Sequence, residues 1–210
     1  MTQRVERPYD AEVEYLENSE EGGGKAYIDT GIIAKDFDND FYVDFMVLQT
    51  PKTSYWKLFG CVSMSISENS YGMTYYLSNG LYLTFNGFPT NSSNTFNISV
   101  GERNNIALLR DKTALLNGNP PYSRDGRFER ANEFIDQNFL IFDASSDNWK
   151  DIKDVCYFKL YSFKWIKGDK TILDLIPVRI GSVGYMYDRV SGKLFGNSGT
   201  GHFILGPDIA

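Results

Sequence analysis

The stretch "VCYFKLYSFKWIKGDKTILDLIPVRI", Val155 to Ile180, indicates the fold more directly than any other part of the chain. Two runs rich in β-branched and aromatic residues are separated by Gly168 and Asp169, which are typical of a tight reversal. Both faces of the run from Val155 to Trp165 are partly apolar, as in a strand that is covered on two sides. The stretch therefore predicts a hairpin whose first strand lies in the middle of a sheet.

A second hairpin is predicted by "VGYMYDRVSGKLFGN", Val183 to Asn197. The runs "YMY" and "KLF" favour strands, and "DRVSG" between them favours a reversal. The Asp188 carboxylate can accept hydrogen bonds from backbone N–H groups two or three residues on, and Gly192 can adopt a positive φ. This combination predicts a hairpin with a bulge.

Two further hairpins are predicted in the middle of the chain. "NNIALLRDKTALLNGN", Asn104 to Asn119, has Asp111 and Lys112 at its tip, and "YYLSNGLYLTFNG", Tyr75 to Gly87, has the type I′ signal Asn79-Gly80. The Asn-Gly turn places Ser78 opposite Leu81 and Tyr76 opposite Leu83. One face would then carry Tyr76, Leu81, Leu83 and Phe85, and the more polar, open face would carry Tyr75, Tyr82, Thr84 and Asn86.

The fold class follows from the repetition of short alternating runs between turn residues. Helical spacing of apolar residues is found at Arg127 to Gln137, a segment that could equally be one turn of helix in a connection. We predict an all-β protein with a two-sheet antiparallel β-sandwich of the jelly-roll kind. Residues 1–10 lack alternation and are interpreted as an N-terminal arm, and residues 11–210 as a single domain.

Composition narrows the range of partners. The net charge of −6 and the pI near 4.9, without a cluster of Lys and Arg, argue against nucleic-acid binding. No apolar run has the length of a signal peptide or membrane span, so we expect no membrane partner and synthesis in the cytosol. Cys61 and Cys156 lie far apart and are expected to be buried, reduced thiols.

Two long segments carry a resemblance to a known family. "VEYLENSEEGGGKAYIDTGI", Val13 to Ile32, and "KLYSFKWIKGDKTILDLIPVRIGSVGYMYDRVSGKLFGNSGTGHFILGPD", Lys159 to Asp208, resemble the concanavalin A-like, laminin-G-like jelly-roll domains of gut Bacteroidales and their phages. The family often has a short "S-T-G-T-Q" where this chain has "NSEEGGGK". The resemblance implies a ligand-recognition or assembly fold, frequently carbohydrate-binding, and in phages often part of virion structural or fibre-like proteins.

Sugar recognition needs aromatic rings that stack on pyranose C–H groups, flanked by amides and hydroxyls. The open face of the Asn79-Gly80 hairpin and the segment "TSYWK" offer such groups. The alternative is that these side chains cover the sandwich or pack against a partner subunit. The candidate glycan-binding residues are Tyr55, Trp56, Tyr75, Tyr82, Thr84 and Asn86.

A calcium site is a second hypothesis. "KDFDNDF", Lys35 to Phe41, offers Asp36, Asp38 and Asp40 as the hard oxygen ligands that calcium prefers, although the Gly and later Glu of an EF-hand loop are missing. The alternative is an exposed acidic loop.

The enzymatic alternative is weaker. Glu12, Glu14 and Glu17 in "EVEYLE" resemble the E-x-D-x-x-E strand of laminarinase-type glycosidases, but Glu replaces the central Asp, and an acidic edge strand that discourages aggregation has the same pattern. His202 is the only histidine, and the glycines of Gly196 to Gly201 are better suited to turns than to phosphate binding. We therefore expect no catalytic activity.

Two functional hypotheses follow. In the first, the chain is a non-catalytic module that binds polysaccharide of a bacterial surface. In the second, it is a virion assembly protein, such as a fibre or decoration subunit, that forms a homo-oligomer and docks through its N-terminal arm. The two can coexist, and the virion is the expected location if the gene belongs to a phage.

Overall fold

A computed structural model describes residues 7–36, 38–51, 55–61, 68–69, 71–76, 80–84, 95–111, 113–120, 133–134, 136–145 and 157–209. Within these ranges every regular element is a β-strand, which confirms the all-β prediction. No helix in the described ranges could span a membrane. The strands are β1 (Ala11–Glu12), β2 (Leu16–Asn18), β3 (Ile28–Asp29), β4 (Asn39–Val47), β5 (Tyr55–Cys61), β6 (Glu68–Asn69), β7 (Tyr71–Tyr76), β8 (Gly80–Thr84), β9 (Thr95–Asn97), β10 (Arg103–Leu108), β11 (Ala114–Leu116), β12 (Glu133–Phe134), β13 (Leu140–Ile141), β14 (Ala144–Ser145), β15 (Phe158–Lys167), β16 (Lys170–Ile180), β17 (Val183–Asp188), β18 (Leu194–Phe195) and β19 (Ile204–Leu205).

The larger sheet has ten antiparallel strands among the described residues. Its order is β11-β10-β4-β15-β16-β17-β18, so the strand predicted to be central, β15, lies between β4 and β16. The N-terminal strands enter the same sheet where β15 and β16 diverge: β2 pairs with the start of β15 and with β19, and β1 pairs with the end of β16. The first strands of the chain are therefore held on two sides and do not form the predicted acidic edge.

The smaller sheet has the order β3-β13-β5-β7-β8-β9. Its pairs are antiparallel except for β14, which runs parallel to β5, and a separate parallel pair is formed by β6 and β12. One core of buried residues from both sheets lies between them, which gives the predicted two-sheet sandwich.

Aromatic side chains fill the centre of the sandwich. The Phe41 and Phe139 rings lie 5.3 Å apart, and both lie 4.9 Å from the Trp165 ring. The indole N–H of Trp165 donates to Asn39 Oδ1 at 2.8 Å, so its one polar group is satisfied inside the core. Burying each of these rings stabilises the fold by roughly 1.5–3 kcal/mol, and this cluster fixes the register of β4 against β15.

The predicted Asp188 hairpin and its loop contacts are confirmed, but the pairing of β17 with β18 has no register shift that would show the predicted bulge. The Asp188 carboxylate accepts hydrogen bonds from Val190 N and Ser191 N, both at 3.1 Å, and Gly192 has a φ of +75°. The hairpins around Gly168 and around Asp111 are also confirmed by the pairing of β15 with β16 and of β10 with β11.

The predicted register of the Asn79-Gly80 hairpin is wrong. Leu81 pairs with Tyr75 and Leu83 pairs with Met73, which is three residues away from the predicted pairing with Ser78 and Tyr76. An odd shift exchanges the two faces of β7. Met73 and Tyr75 are both fully buried in the core, so burial of this apolar pair outweighs the local preference for a two-residue turn.

Some predictions concern residues outside the described ranges. Residues 1–6 of the predicted arm, Asn86, Cys156 and most of the segment Arg127 to Gln137 lie there. The end of the predicted arm is described and contacts the domain, since Asp10 N donates to Arg179 O at 2.9 Å. Cys61 is buried, as expected.

Candidate functional site

Six tyrosines among the described residues lie on the outward side of the ten-stranded sheet, which we call the tyrosine face. Each is assigned to this side either because it alternates with core residues along its strand or because its ring contacts another tyrosine of the set. Tyr42, for example, lies between the core residues Phe41 and Val43 and is 40% exposed. The tyrosine face consists of Tyr9, Tyr15, Tyr42, Tyr161, Tyr185 and Tyr187.

One end of this face has partly exposed rings, and we call it the Tyr187 subsite: Tyr9, Tyr185 and Tyr187 with Glu12 and Arg189. Tyr185 and Tyr187 point outward on β17 because Met186 between them is fully buried. Residues i and i+2 on a strand are about 7 Å apart, so the two rings form a row along the sheet. The Tyr9 ring packs on the Tyr187 ring at 5.0 Å with an interplanar angle of 60°.

Glycines leave room for these rings. A Cβ at Gly196 would lie 3.1 Å from the Tyr185 ring, so the ring packs closely over the backbone of the neighbouring strand. Gly192 in the Asp188 loop lies next to Tyr187. A Cβ added at Gly192 would be 3.9 Å from the Tyr187 hydroxyl oxygen. The local sequence "YMYDRVSGKLFG" therefore supplies both the tyrosine rings and the glycines that leave room for them.

Polar groups surround the Tyr187 subsite in fixed positions. The Tyr9 hydroxyl donates to Glu12 Oε1 at 3.0 Å, and Arg7 Nη1 lies 3.3 Å from the same oxygen. Arg189 donates to both carboxylate oxygens of Asp174, at 3.1 and 2.9 Å.

Electrostatics agree with this arrangement. Burial and the hydrogen bond to Glu12 raise the pKa of Tyr9, so its hydroxyl stays a neutral donor. The hydrogen bonds to Asp174 raise the pKa of Arg189, and Glu12 and Tyr9 add to that shift because they lie near the guanidinium.

The middle of the tyrosine face is closed. A bulge in β15 inserts Tyr161 between Leu160 and Ser162, and the extra residue turns its ring outward. The Arg103 guanidinium lies 3.8 Å from the centre of that ring, and Lys159 Nζ lies 3.8 Å from the centre of the Tyr15 ring. Tyr161 is only 7% exposed. These cation–π contacts cover the ring faces that a sugar would need, so this part of the face is structural.

The residues chosen from the sequence for glycan binding are not brought together on an open face. Tyr75 is fully buried and Trp56 is 3% exposed, with its ring edge-on to Tyr157 at 5.0 Å. The expectation of an open surface is wrong for these two because the register of β7 turns Tyr75 inward and Trp56 packs into the core. The backbones of Tyr55, Tyr82 and Thr84 are in strands, their side chains lie outside the description, and a binding role for them stays a prediction.

The acidic loop does not form a converging ligand set. Asp40 accepts from Arg110 Nε and Nη2 at 3.0 and 2.8 Å, Asp38 accepts from Arg110 Nη1 at 3.0 Å, and Asp36 pairs with Lys167 at 2.6 Å. Arg110 also donates to the Gly168 carbonyl. Among the described residues there is no group of three or more His, Cys, Asp or Glu that could hold a metal ion. Arg110 and Lys167 thus bind the three carboxylates, which do not converge as the calcium hypothesis expects, and calcium binding itself stays a prediction.

The possible catalytic carboxylates are also held separately. Glu12 bonds to Tyr9 and Arg7, Glu14 lies 3.9 Å from Arg103, and Glu17 lies 3.6 Å from Lys159. Each carboxylate lies near a different cation, although Arg103 is bound mainly by Asp44, at 2.9 and 2.7 Å. His202 is exposed.

The glycine-rich segment at Gly196 to Gly201 packs on the insertion Glu20 to Lys25. A Cβ at Gly199 would overlap the Lys25 carbonyl oxygen, and a Cβ at Gly22 would overlap the His202 carbonyl oxygen. Just beyond the insertion, Tyr27 N donates to Asn197 Oδ1 at 3.1 Å. These glycines allow backbone to pack on backbone, as turns do, and the insertion is part of the domain.

Tyr9, Tyr185 and Tyr187 were missed as candidate site residues by sequence reasoning. The signal was present, since "GYMYD" alternates aromatic residues with Gly and Met on a predicted strand. What the pattern could not show was that Tyr9, nearly 180 residues away, packs on the same face.

Comparisons with known proteins bear on the fold. No family model matches the sequence, and no curated protein matches it. Among solved structures, a candidate carbohydrate-binding protein from Bacteroides ovatus ATCC 8483 is similar over 95% of this chain and 61% of its own, with a TM-score of 0.55 and 11% identity. A sialidase from Trypanosoma rangeli matches 60% of this chain and 20% of its own, with a TM-score of 0.44 and 11% identity. The first match shows a shared β-sandwich, the second is too distant to carry an argument, and this chain spans only part of both proteins.

Proposed function

We propose that this protein is a non-catalytic carbohydrate-binding module that receives a glycan at the Tyr187 subsite. The observation that carries the proposal is the row of the partly exposed rings of Tyr185 and Tyr187, with Tyr9 packed against Tyr187. The carboxylate of Glu12 and the guanidinium of Arg189 border this row. Rings of this kind stack on the C–H faces of sugars, and the flanking groups bind hydroxyls. Arg7 lies over the Tyr9 ring, 5.9 Å from its centre, whereas no cation among the described residues lies over the rings of Tyr185 and Tyr187.

The test is a glycan-array experiment with bacterial capsular and cell-wall polysaccharides, run with calcium and again with chelator. Tyr187→Ala should weaken binding by about 1–3 kcal/mol, the range for loss of one aromatic contact, and Tyr187→Phe should largely preserve it. Tyr42→Ala is the matched control, since Tyr42 is exposed on the same side but three strand spacings, at least about 14 Å, from β17.

The outcomes separate the candidate surfaces. Equal losses for Tyr42→Ala and Tyr187→Ala would contradict the assignment to the Tyr187 subsite. A loss with Tyr82→Ala alone would move the site to the smaller sheet, where Tyr55, Tyr82 and Thr84 were predicted to bind. Dependence of binding on calcium would support the hypothesis of a calcium site at Asp36, Asp38 and Asp40.

We propose further that the glycan is a host-surface polysaccharide and that the protein is a virion fibre or decoration subunit of a phage. The support is the resemblance of Val13 to Ile32 and Lys159 to Asp208 to laminin-G-like jelly rolls. Since Tyr9 and Asp10 contact the domain, deletion of residues 1–6 is the sharper test of the arm. The truncated protein should fold normally and fail to enter particles. Normal incorporation would contradict the docking role.

Homo-oligomer formation is part of the same proposal. Ile180 and Val183 pair at the tip of the β16–β17 hairpin and are 38% and 52% exposed. Exposed apolar residues at a hairpin tip are suited to contact with a second subunit. Light scattering of the purified chain should give a mass above that of a monomer, and Val183→Glu should reduce it.

A further inference from the structure

We infer that the Tyr187 subsite selects an uncharged glycan, and this inference rests on the proposed carbohydrate-binding function. The basis is the state of the charged groups around the rings. Arg189 donates from Nε and Nη2 to the two carboxylate oxygens of Asp174, at 3.1 and 2.9 Å, and Arg7 Nη1 lies 3.3 Å from Glu12 Oε1. Arg189 and Arg7 are therefore each paired with a carboxylate, and Lys164 on β15 lies opposite Asp174.

An acidic sugar would need a cation that is available to it. Arg189 would have to leave a two-bond contact with Asp174, and the ligand carboxylate would then lie near both Asp174 and Glu12. Like charges at close range oppose binding, and a like-charge contact is an effective means of rejecting a ligand. Acidic polysaccharides are thus disfavoured by the same groups that hold the site together.

The nearby Lys193 does not change this balance. Its neighbour Leu194 pairs with Tyr187, whereas the Lys193 amine lies 4.3 Å from the centre of the Phe195 ring. Phe195 is a core residue on the opposite side of β18. Alternation along the strand therefore directs Lys193 away from the rings of the subsite.

The paired groups remain suited to hydroxyls. The side chains of Arg189 and Glu12 are 56% and 33% exposed, so part of each group faces solvent. A carboxylate can accept more than one hydrogen bond, and a guanidinium has five donors, so both can bind sugar hydroxyls while they keep their ion pairs. Stacking and neutral hydrogen bonds are little affected by ionic strength, unlike contacts between exposed charges.

The experiment compares one acidic bacterial polysaccharide in its native and carboxyl-reduced forms, with a panel of neutral polysaccharides, at low and high salt. The wild-type protein should bind neutral polysaccharides and the carboxyl-reduced form, with affinities that do not depend on salt. Tighter binding of the native acidic form, or binding lost at high salt, would overturn the inference and leave carbohydrate binding intact. Failure to bind any polysaccharide would overturn the proposed function and the inference together.

A variant tests the charge argument directly. Asp174→Asn leaves Arg189 without its counterion and should increase affinity for the native acidic form by about two- to fivefold, the range of one exposed charge interaction. Glu12→Gln is a second variant of the same kind, and circular dichroism checks that both fold. No gain in either folded variant would contradict the view that the paired carboxylates set the selectivity.

Discussion

A single buried carboxylate organises the loop beside the proposed site. Asp188 is 1% exposed and accepts hydrogen bonds from Asp174 N at 2.9 Å and from both the N–H and the hydroxyl of Ser191, at 3.1 and 2.5 Å. It thereby joins β16 to the loop that follows β17. The position of Tyr187, the preceding residue, depends on this group.

Asp188→Ala should therefore be strongly destabilising. Four hydrogen bonds to the buried carboxylate, from Asp174 N, Val190 N and the N–H and hydroxyl of Ser191, would be lost, and we expect a loss of about 3 kcal/mol in the free energy of unfolding measured with urea. Asp111→Ala is the matched control, because Asp111 also lies in a hairpin loop but is exposed and accepts one bond, from Thr113 N at 2.9 Å. Its loss should be about 1 kcal/mol or less. Equal losses in the two variants would contradict this account.

The ion pair of Arg179 and Asp208 predicts a dependence on pH. Two hydrogen bonds, at 2.7 and 2.6 Å, lower the pKa of Asp208 below its ordinary value. A lowered pKa contributes stability at pH values above the unfolded pKa of about 3.9, and that contribution disappears as the pH falls through the folded pKa. The melting temperature of Asp208→Asn should thus be below wild type at neutral pH, and the difference should shrink and then disappear as the pH falls from the unfolded pKa through the lowered folded pKa. A difference that persists there would indicate another cause.

Residue roles could be predicted where the interactions are local. Asp188 and Gly192 act within a few positions of each other, and the loop was predicted correctly. Arg110 reaches Asp40 across 70 positions, and this contact, which fills the space between the acidic side chains, has no signature in the loop sequence.

At the scale of elements, two glycine-containing segments, one from each end of the chain, pack against each other. The insertion Glu20 to Lys25 and the segment Gly196 to Gly201 pack backbone against backbone, and His202 N donates to Gly22 O at 2.8 Å. Neither segment has the spacing of a strand or helix, so the sequence identified both as loops without predicting their contact.

Gly199→Ala should disrupt the packing of these two segments. The added Cβ would overlap the Lys25 carbonyl, and relief of such a clash requires backbone movement, so we expect a loss of about 2–3 kcal/mol in the free energy of unfolding. Gly101→Ala is the control: its φ is +82° and nothing lies within 4 Å of the added atom, so only backbone strain of roughly 1–2 kcal/mol applies. A variant at Gly199 as stable as wild type would show that the two segments do not pack as described.

Registers of whole strands were harder to predict than their existence. The strands β7 and β8 were expected from alternation and turn residues, but their pairing is set by which side chains the core accepts. Tyr75 and Met73 are both fully buried opposite the other sheet. The local turn signal and the non-local packing disagree, and packing determines the face on which Tyr75 lies.

At the scale of the whole molecule, the N-terminal segment is part of both the ten-stranded sheet and the tyrosine face on its outward side. β1 and β2 lie between diverging parts of β15 and β16, and Tyr9 and Glu12 extend this path to the Tyr187 subsite. The fold class was predictable because alternation is repeated along the whole chain. The site was not, because its residues come from the two ends of the sequence and meet only after the sheet has formed.

The measurement that tests the central claim most directly is an NMR titration of the ¹⁵N-labelled protein with a neutral oligosaccharide that binds in the array. Our account predicts chemical-shift changes at Tyr9, Tyr185, Tyr187 and Arg189, with little change at Tyr42. Changes confined to the strands of the smaller sheet, or to the loop of Asp36 to Asp40, would contradict a glycan site on the tyrosine face.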